Sequence, residues 1–312
     1  MSERSRGVSR RRFLATSAAV AGAAAYVRPS LAADPPNEAD VAKCVAAMPD
    51  SPTVPPKKER RILIIDKCQG FYHGVIPLAS EAMIQLGAKT GAYTAERTDD
   101  LAVLTADNLA NYDALLFNNT TRLDPTDESK KAILDFMAEG KGVIGVHAAA
   151  DNFYDWPEGA AMIGGLFAGH PWGGGGTWAV KLDEPKHALC KAFDNEGFLV
   201  KDEIYQMKDP YSREALRVLV SLDMDEGRNV SGREDGDNAI SWIQPCNGGR
   251  VFYCSLGHNN HIFWSPAILQ HYCDGIQYAL GDLECDARPS AELDAVPTPA
   301  LCPQEDATAY VE

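Results

Sequence analysis

The sequence predicts an α/β protein with a mostly parallel sheet and helices on both of its faces. Three runs have the length and apolar composition of strands buried on both sides, and they are residues 61–66 (RILIID), 113–118 (DALLFN) and 142–147 (GVIGVH). Helical signals alternate with these runs at Pro77–Leu86 and Pro125–Glu139. This alternation favours parallel pairing, because a parallel connection needs a long crossover. With 45% apolar and 23% charged residues, the chain can bury such a core.

The N-terminal residues 1–32 have the pattern of a twin-arginine export signal. Ser9-Arg10-Arg11-Arg12-Phe13-Leu14 precedes a weakly apolar run, and Ser30-Leu31-Ala32 supplies small residues for cleavage. The alternative is a basic tail before a transmembrane helix, but the apolar run is shorter than the roughly 20 residues that a span needs. The sequence therefore predicts a periplasmic or secreted protein without a stable membrane span.

The remaining chain divides into three segments. Residues 33–60 are rich in proline and charge, which predicts a linker. The folded domain is expected over residues 61–281, followed by a C-terminal tail over residues 282–312. Without residues 1–32 the chain loses six arginines and one glutamate, so its formal charge moves from −15 to −20. A surface this acidic repels phosphate backbones, which argues against a nucleic-acid partner.

Eight cysteines in an exported chain suggest some disulfides. Cys44, Cys285 and Cys302 lie in the irregular ends, where a covalent link would tie loose segments to the domain. Cys254 and Cys273 fall within a predicted strand and a predicted helix and equally suit small core positions.

Glycines, prolines and capping residues predict where the helices begin and end. The helix at Pro77–Leu86 has proline near its start and Gly87 as its stop, and Asp124 and Gly140 bound the next helix. The second half of the chain is less regular. Its predicted elements are strands at Thr177–Leu182, Leu216–Leu222, Ala239–Ile243 and Val251–Leu256, and a helix at Pro266–Leu280 between Ser265 and Gly281.

Polar side chains follow four of the predicted strands at the point where each strand ends. In chain order these are His73, Asn119, Thr120, His147, Asp151 and His258. Ligands of open parallel sheets bind beyond the carboxyl ends of the strands, so we expect these side chains to share one site.

The residue types in this site favour proton transfer. The segment around His147 has the outline of a nucleophile elbow, but histidine stands where serine or cysteine would be. His147, His258 and His73 are therefore candidate acid/base groups. Asp151 can orient a histidine, bind a metal or cap the next turn. Cys68 is an alternative nucleophile beside His73, but a disulfide or an inert thiol is favoured for it.

Two further groups extend the site. His170 precedes the glycine run 173–176, which is either a mobile lid or a plain linker. Glu203 is a base, a ligand or a surface group. Binding of a divalent metal such as zinc or manganese is a further alternative for this site. The chain offers nitrogen and oxygen ligands, but it has no known helical metal motif. The candidate ligands are His73, His147, His170, Glu203 and His258. No nucleotide cofactor is expected.

At these residues the chain resembles the ThuA-like family, which is associated with trehalose utilisation and whose fold is like that of class I glutamine amidotransferases. The matching segments, in order, are residues 70–73 (GFYH), 118–121 (NNTT), 145–151 (GVHAAAD), 154–157 (YDWP), 169–171 (GHP), 202–205 (DEIY) and 257–258 (GH). The resemblance implies a flavodoxin-like three-layer sandwich with a mostly parallel central sheet, lacking the amidotransferase cysteine. It also implies a carbohydrate ligand, such as a 3-keto-glycoside formed by a partner sugar dehydrogenase. The insert 172–176, the extra cysteines and the long tail depart from the family.

Three functions follow from these observations. The first is an exported lyase, hydrolase or isomerase acting on an oxidised sugar, with His147 and His258 as acid/base or metal-binding groups. The residues expected to bind its substrate are Asn119, Thr120, Trp156, His170 and Glu203. The second is a carbohydrate-binding or accessory protein with the same site and no turnover. The third, glutamine amide hydrolysis, rests on fold alone and lacks a thiol at position 147.

Overall fold

The structure is a computed structural model that describes residues 35–225, 229, 232–303 and 309–310. The predicted export signal lies outside the described residues. The described helices are α1 (Glu38–Ala47), α2 (Ile76–Thr90), α3 (Ala106–Leu109), α4 (Asp127–Ala138), α5 (Pro157–Ile163) and α6 (Pro266–Ala279). None of these helices combines the length and the apolar character that crossing a membrane requires.

The described strands belong to one large sheet and one small sheet. They are β1 (Arg61–Ile65), β2 (Thr94–Thr98), β3 (Ala114–Asn118), β4 (Gly142–Val146), β5 (Leu166–Trp172), β6 (Trp178–Leu182), β7 (Phe198–Val200), β8 (Ile204–Lys208), β9 (Arg217–Leu222), β10 (Ala239–Cys246), β11 (Gly249–Cys254) and β12 (Ala309–Tyr310). The large sheet has the order β12-β7-β6-β9-β10-β11-β4-β3-β1-β2, and β5 pairs with β8 in the small one.

The half of the large sheet that runs from β11 to β2 is parallel throughout. Alternate side chains of β1 enter two separate cores: Ile62 and Ile64 pack with α2 and α6, and Leu63 and Ile65 pack with α4. Strands β3 and β4 are buried along their whole length, as the continuous apolar runs predict. The predicted three-layer α/β sandwich is thereby confirmed.

The other half of the sheet extends it with antiparallel pairs among β10, β9, β6 and β7. The tail lies against this end: Ala300 pairs with Leu182, and β12 pairs with β7. The short strands β2, β7 and β8 were not predicted from the sequence, because none of them has a run of apolar residues long enough to stand out.

The predicted linker is partly wrong, since residues 38–47 form α1. The Asn37 side chain accepts a hydrogen bond from the Ala39 N–H at 2.8 Å and so caps the helix. Cys44 is fully buried against the domain, and the Lys89 ammonium donates to the carbonyl oxygens of Val45 and Met48 at 3.0 and 2.8 Å. These contacts attach α1 to α2.

Two predicted helix boundaries shift by a few residues. Helix α2 continues past Gly87 and stops at Gly91, whose φ is 71°. Gly87 is needed instead for packing, because a side chain there would collide with the Tyr93 ring. Helix α4 is capped by Thr126, whose hydroxyl accepts from the Ser129 N–H at 3.2 Å, and not by Asp124.

The covalent links expected at Cys44 and Cys285 are not present in the described structure. Cys44 is a buried thiol in α1, and Cys285 is a half-buried thiol after α6. Cys254 and Cys273 are fully buried, in accordance with the alternative role as small core residues.

Candidate functional site

Three histidines from distant parts of the sequence form one cluster at the carboxyl edge of the parallel strands. His73 comes after β1, His147 directly follows β4, and His258 comes after β11. The ring centre of His73 lies 5.1 Å from that of His147 and 5.4 Å from that of His258, and the last two are 5.4 Å apart. The rings meet edge to face, as aromatic rings prefer. We call His73, His147 and His258 the histidine cluster.

Glu203 is the carboxylate that contacts the cluster. Its oxygens lie 3.6 Å from His147 Nε2, 3.9 Å from His258 Nε2 and 3.5 Å from His170 Nδ1. Glu203 directly precedes β8, and His170 lies on β5, so the small sheet brings both residues over the ends of the parallel strands. The His170 side chain is 54% exposed, which opens this side of the site to solvent.

His147 is held in a fixed orientation. Its φ is 45°, so the chain turns sharply where β4 ends. Its Nδ1 lies 2.7 Å from the Ser255 carbonyl oxygen. The backbone carbonyl of His147 accepts a hydrogen bond from the Tyr253 hydroxyl at 2.6 Å. Because a carbonyl only accepts, Nδ1 carries the hydrogen and the lone pair of the neutral ring is on Nε2, on the Glu203 side.

Asp202 positions the loop that carries His258. Its buried carboxylate accepts hydrogen bonds from the backbone N–H groups of Gly257 at 2.6 Å, His258 at 3.3 Å and Asn259 at 2.8 Å. Gly257 has a φ of 135°, which a residue with a side chain rarely adopts. The neighbouring carboxylates of Asp202 and Glu203 thus have different roles, one in holding a loop and one in facing the histidines.

The glycine run 173–176 lies against this loop. The Asn259 side chain donates to the Gly174 carbonyl at 2.8 Å, and a side-chain carbon at Gly174 would come within 3.0 Å of His258 Nδ1. Glycine at 174 therefore allows the close approach of the insert to His258.

Burial and neighbouring groups shift the pKa values of both His73 and Glu203, so that the first is neutral and the second is charged. Burial, with the nearby rings of His147 and His258, lowers the pKa of His73 to about 3, so this ring is neutral at physiological pH. Burial opposes ionisation of Glu203, but electrostatic interaction with the surrounding imidazoles of His147, His258 and His170 outweighs this effect and lowers its pKa. Glu203 is therefore an anion.

Two of the expected substrate-binding residues are instead part of the packed interior. Thr120 is fully buried, and its hydroxyl accepts a hydrogen bond from Asn152 at 2.7 Å. Trp156 is 5% exposed, and its ring packs on Phe153 at 5.1 Å and leaves no room for a side chain at Gly159. Neither side chain therefore presents an exposed surface to a sugar in this structure.

Asn119 and Asp151 flank the cluster without contacting its rings. The Asn119 amide donates to the Gly257 carbonyl at 3.4 Å, and its buried Oδ1 has no hydrogen-bond partner among the described residues. The Asp151 carboxylate contacts the Tyr154 hydroxyl and Arg122 Nε, the latter at 3.2 Å. Asp151 thus ties two loops together and does not orient a histidine.

Phe71 was not selected from the sequence as a site residue. Its ring is 4.8 Å from that of His73, and the residue is 68% exposed. The neighbouring Tyr72 is 48% exposed. The sequence signal that could have identified Phe71 is the pair of large aromatic side chains between Gly70 and Gly74.

Burial raises the pKa of the Cys68 thiol, which donates to the Asn119 carbonyl at 3.3 Å, so Cys68 is not an activated nucleophile.

Comparison with known proteins gives one family and one fold. The ThuA family, described as trehalose utilisation, matches residues 61–279. A ThuA-like protein from Bacteroides uniformis is 22% identical with a TM-score of 0.59, over 73% of this chain and 94% of that one. A ThuA-like protein from Parabacteroides merdae is 17% identical with a TM-score of 0.56, over 74% of this chain and 98% of that one. No curated protein matches the chain.

Proposed function

We propose that this chain, which belongs to the ThuA family of trehalose utilisation, binds an oxidised sugar at the histidine cluster and transfers protons on it. The family supports a sugar-related role. The observation that carries the finer proposal is the position of His147: Nδ1 is fixed on the Ser255 carbonyl, while Nε2 has no hydrogen-bond partner among the described residues and lies beside the Glu203 carboxylate. An imidazole nitrogen whose lone pair is not used in another hydrogen bond, and which lies beside an anion, is suited to act as a base.

The chemistry follows from the ketone of an oxidised sugar. A ketone acidifies the C–H bond on the adjacent carbon, and Nε2 of His147 takes this proton. The electron pair of the broken C–H bond forms a C=C bond as the neighbouring C–O bond to the leaving group breaks. Once the C–O bond has broken, the imidazolium of His147 gives this proton to the leaving oxygen. Anionic Glu203 stabilises the imidazolium on His147. The products are an unsaturated ketone and an alcohol.

The sugar lies, in this proposal, between His170 and the exposed ring of Phe71. An aromatic surface with a few convergent polar groups is the usual composition of a small-ligand site. Phe71 takes the part that the sequence assigned to Trp156, because Phe71 is exposed and Trp156 is buried.

The experiment compares 3-keto-trehalose with unmodified trehalose as substrates of the purified protein. Product detected by mass spectrometry with the ketone and not with trehalose supports the proposal, provided that His147→Asn abolishes it. Equal inertness towards both sugars removes the enzymatic proposal.

A binding protein without turnover is the second candidate. The observation that favours it is that Asp151, a carboxylate that was a candidate to orient a histidine, bonds instead to Tyr154 and Arg122. Calorimetry that shows sugar binding, together with no product, would select this candidate.

We also propose that residues 1–32 direct export and that a sugar dehydrogenase supplies the ketone. The twin-arginine pattern supports the first proposal. The second follows from the chemistry, because an alcohol has to be oxidised before its neighbouring C–H bond becomes acidic.

A further inference from the structure

We propose that His73, His258 and Glu203 bind one divalent transition-metal ion, with zinc and manganese as the ions that suit these ligands. The inference is independent of the sugar chemistry, because it rests on the arrangement of the three side chains alone. Two imidazoles and one carboxylate form a ligand set that zinc accepts, and manganese also binds through nitrogen and oxygen.

The ligand atoms already lie close together. One nitrogen of His73, one nitrogen of His258 and one oxygen of Glu203 are all within 4.8 Å of one another. His258 Nε2 and a Glu203 oxygen are 3.9 Å apart. Bonds of about 2.0–2.2 Å to zinc place neighbouring ligand atoms roughly 3.4 Å apart in a tetrahedron. The separation of His258 and Glu203 therefore needs to shorten by roughly 0.5 Å, and no separation within the set needs to shorten by more than about 1.4 Å.

The surroundings of His258 direct a lone pair towards this point. Asn259 donates its amide hydrogens to the carbonyl oxygens of Gly174 at 2.8 Å and Lys201 at 2.9 Å, which fixes the orientation of the amide. Its Oδ1 consequently faces His258 Nδ1 at 3.1 Å as an acceptor. His258 thus carries its hydrogen on Nδ1, and the lone pair is on Nε2, near Glu203. Metal-binding histidines typically donate a hydrogen bond from the ring nitrogen that does not bind the metal, and this bond fixes the orientation of the ring.

Unsatisfied polar atoms provide an independent sign of a missing ligand. His73 Nδ1 and His147 Nε2 are buried and have no hydrogen-bond partner within the part of the chain that the structure describes. Buried polar atoms without partners are rare, because each costs about 1–3 kcal/mol. An ion bound by His73, together with the water that it holds, would give both nitrogens a partner.

Three protein ligands leave a position of the ion open to solvent or substrate. This is the arrangement of catalytic zinc sites, whereas structural sites use four protein ligands. His147 Nε2 lies 3.6 Å from Glu203 Oε1, beside the ion and outside the set of three. An ion at this place would polarise a carbonyl oxygen of a bound ligand.

The test measures metal binding without any sugar. The full-length protein is freed of metal with a chelator, and Zn²⁺ and Mn²⁺ are each titrated in by calorimetry. We expect one ion per chain, and a loss of affinity of about 100-fold or more in Glu203→Gln and His258→Ala, since even indirect partners of a metal cost 10–100-fold. His187→Gln is the matched control, because its ring contacts Asp286 and Leu189 rather than the cluster. It should bind the metal like the wild type.

A second measurement avoids substitutions altogether. In the wild-type chain labelled with ¹⁵N at its seven histidines, Zn²⁺ should shift the ring nitrogen signals of His73 and His258. Absence of saturable binding of both ions overturns the inference, as do wild-type affinities in both variants or unmoved ring signals at saturating Zn²⁺. Failure of sugar turnover with intact metal binding would remove only the proposed reaction.

Discussion

His147 Nδ1 lies 2.7 Å from the carbonyl oxygen of Ser255, the residue that follows β11. Strands β4 and β11 are parallel neighbours, so the catalytic candidate at the end of one strand is fixed by the backbone at the end of the other. This bond separates the structural function of the ring, at Nδ1, from the proton transfer that we propose for Nε2.

Replacement of His147 by asparagine should separate these two functions in an experiment. An asparagine amide can donate from nearly the position of Nδ1, and asparagine tolerates the positive φ of this residue, but it has no group at the position of Nε2. We expect a melting temperature close to that of the wild type and a loss of turnover of about 10²- to 10⁴-fold. His147→Leu removes both groups and should also destabilise the protein. Wild-type turnover in the asparagine variant would exclude His147 as the base.

The loop that carries His258 should depend on the Asp202 carboxylate. Asp202→Asn replaces one of two acceptor oxygens by a donor, so at least one buried N–H group among residues 257–259 loses its partner. We expect a destabilisation of about 1–3 kcal/mol in urea unfolding. The matched control is Asp127→Asn at a side chain that is 98% exposed, which should change stability by less than about 0.5 kcal/mol. Equal stabilities of the two variants would contradict this role of Asp202.

Asp66, at the end of β1, should make stability depend on pH. Burial raises the pKa of Asp66 to about 6, although Ser80 and Asn118 donate hydrogen bonds to it. The folded state therefore retains a proton that the unfolded chain releases near pH 4, so the contribution of Asp66 to stability is complete below about pH 4 and is lost as the pH rises through 6.

The variant Asp66→Asn should reveal this contribution as a difference from the wild type. Between pH 4 and pH 7 the wild type should lose on the order of 2–3 kcal/mol relative to the variant. The comparison is needed because burial also raises the pKa of Asp274 to about 6, and Asp274 titrates equally in both proteins. Parallel curves of unfolding free energy against pH would show that Asp66 is ionised in the folded state.

The central fold was predictable because its strands are buried on both faces and therefore read as continuous apolar runs. Helix α1 was not predicted, although Val41, Cys44, Val45 and Met48 have helical spacing. The prolines on either side of these residues outweighed that signal. Strand β2 has the polar sequence TAERT because it lies at the edge of the sheet, where β1 is its single neighbour among the described strands.

The histidine cluster was predictable for a similar reason, since each of its members follows a recognisable strand. The residues that the sequence could not place are those whose role depends on exposure. Trp156 and Phe71 are both aromatic residues in segments that match the family, yet one is buried in the core and the other faces solvent. Side-chain burial depends on the packing of distant segments, which local sequence patterns do not record.

Phe71 should contribute to sugar binding without contributing to the chemistry. Its ring is 68% exposed and contacts His73, so Phe71→Ala removes an aromatic surface at the edge of the site and leaves the core intact. We expect the Kd for 3-keto-trehalose to rise by about 10-fold, equivalent to about 1.4 kcal/mol, with stability unchanged within about 0.5 kcal/mol. Because the ring holds ground state and transition state equally, KM should rise while kcat stays nearly constant.

Phe71→Trp should restore affinity, and Val296→Ala, at a residue 88% exposed in the tail segment, should have no effect. An unchanged Kd in Phe71→Ala would place the sugar elsewhere on the protein.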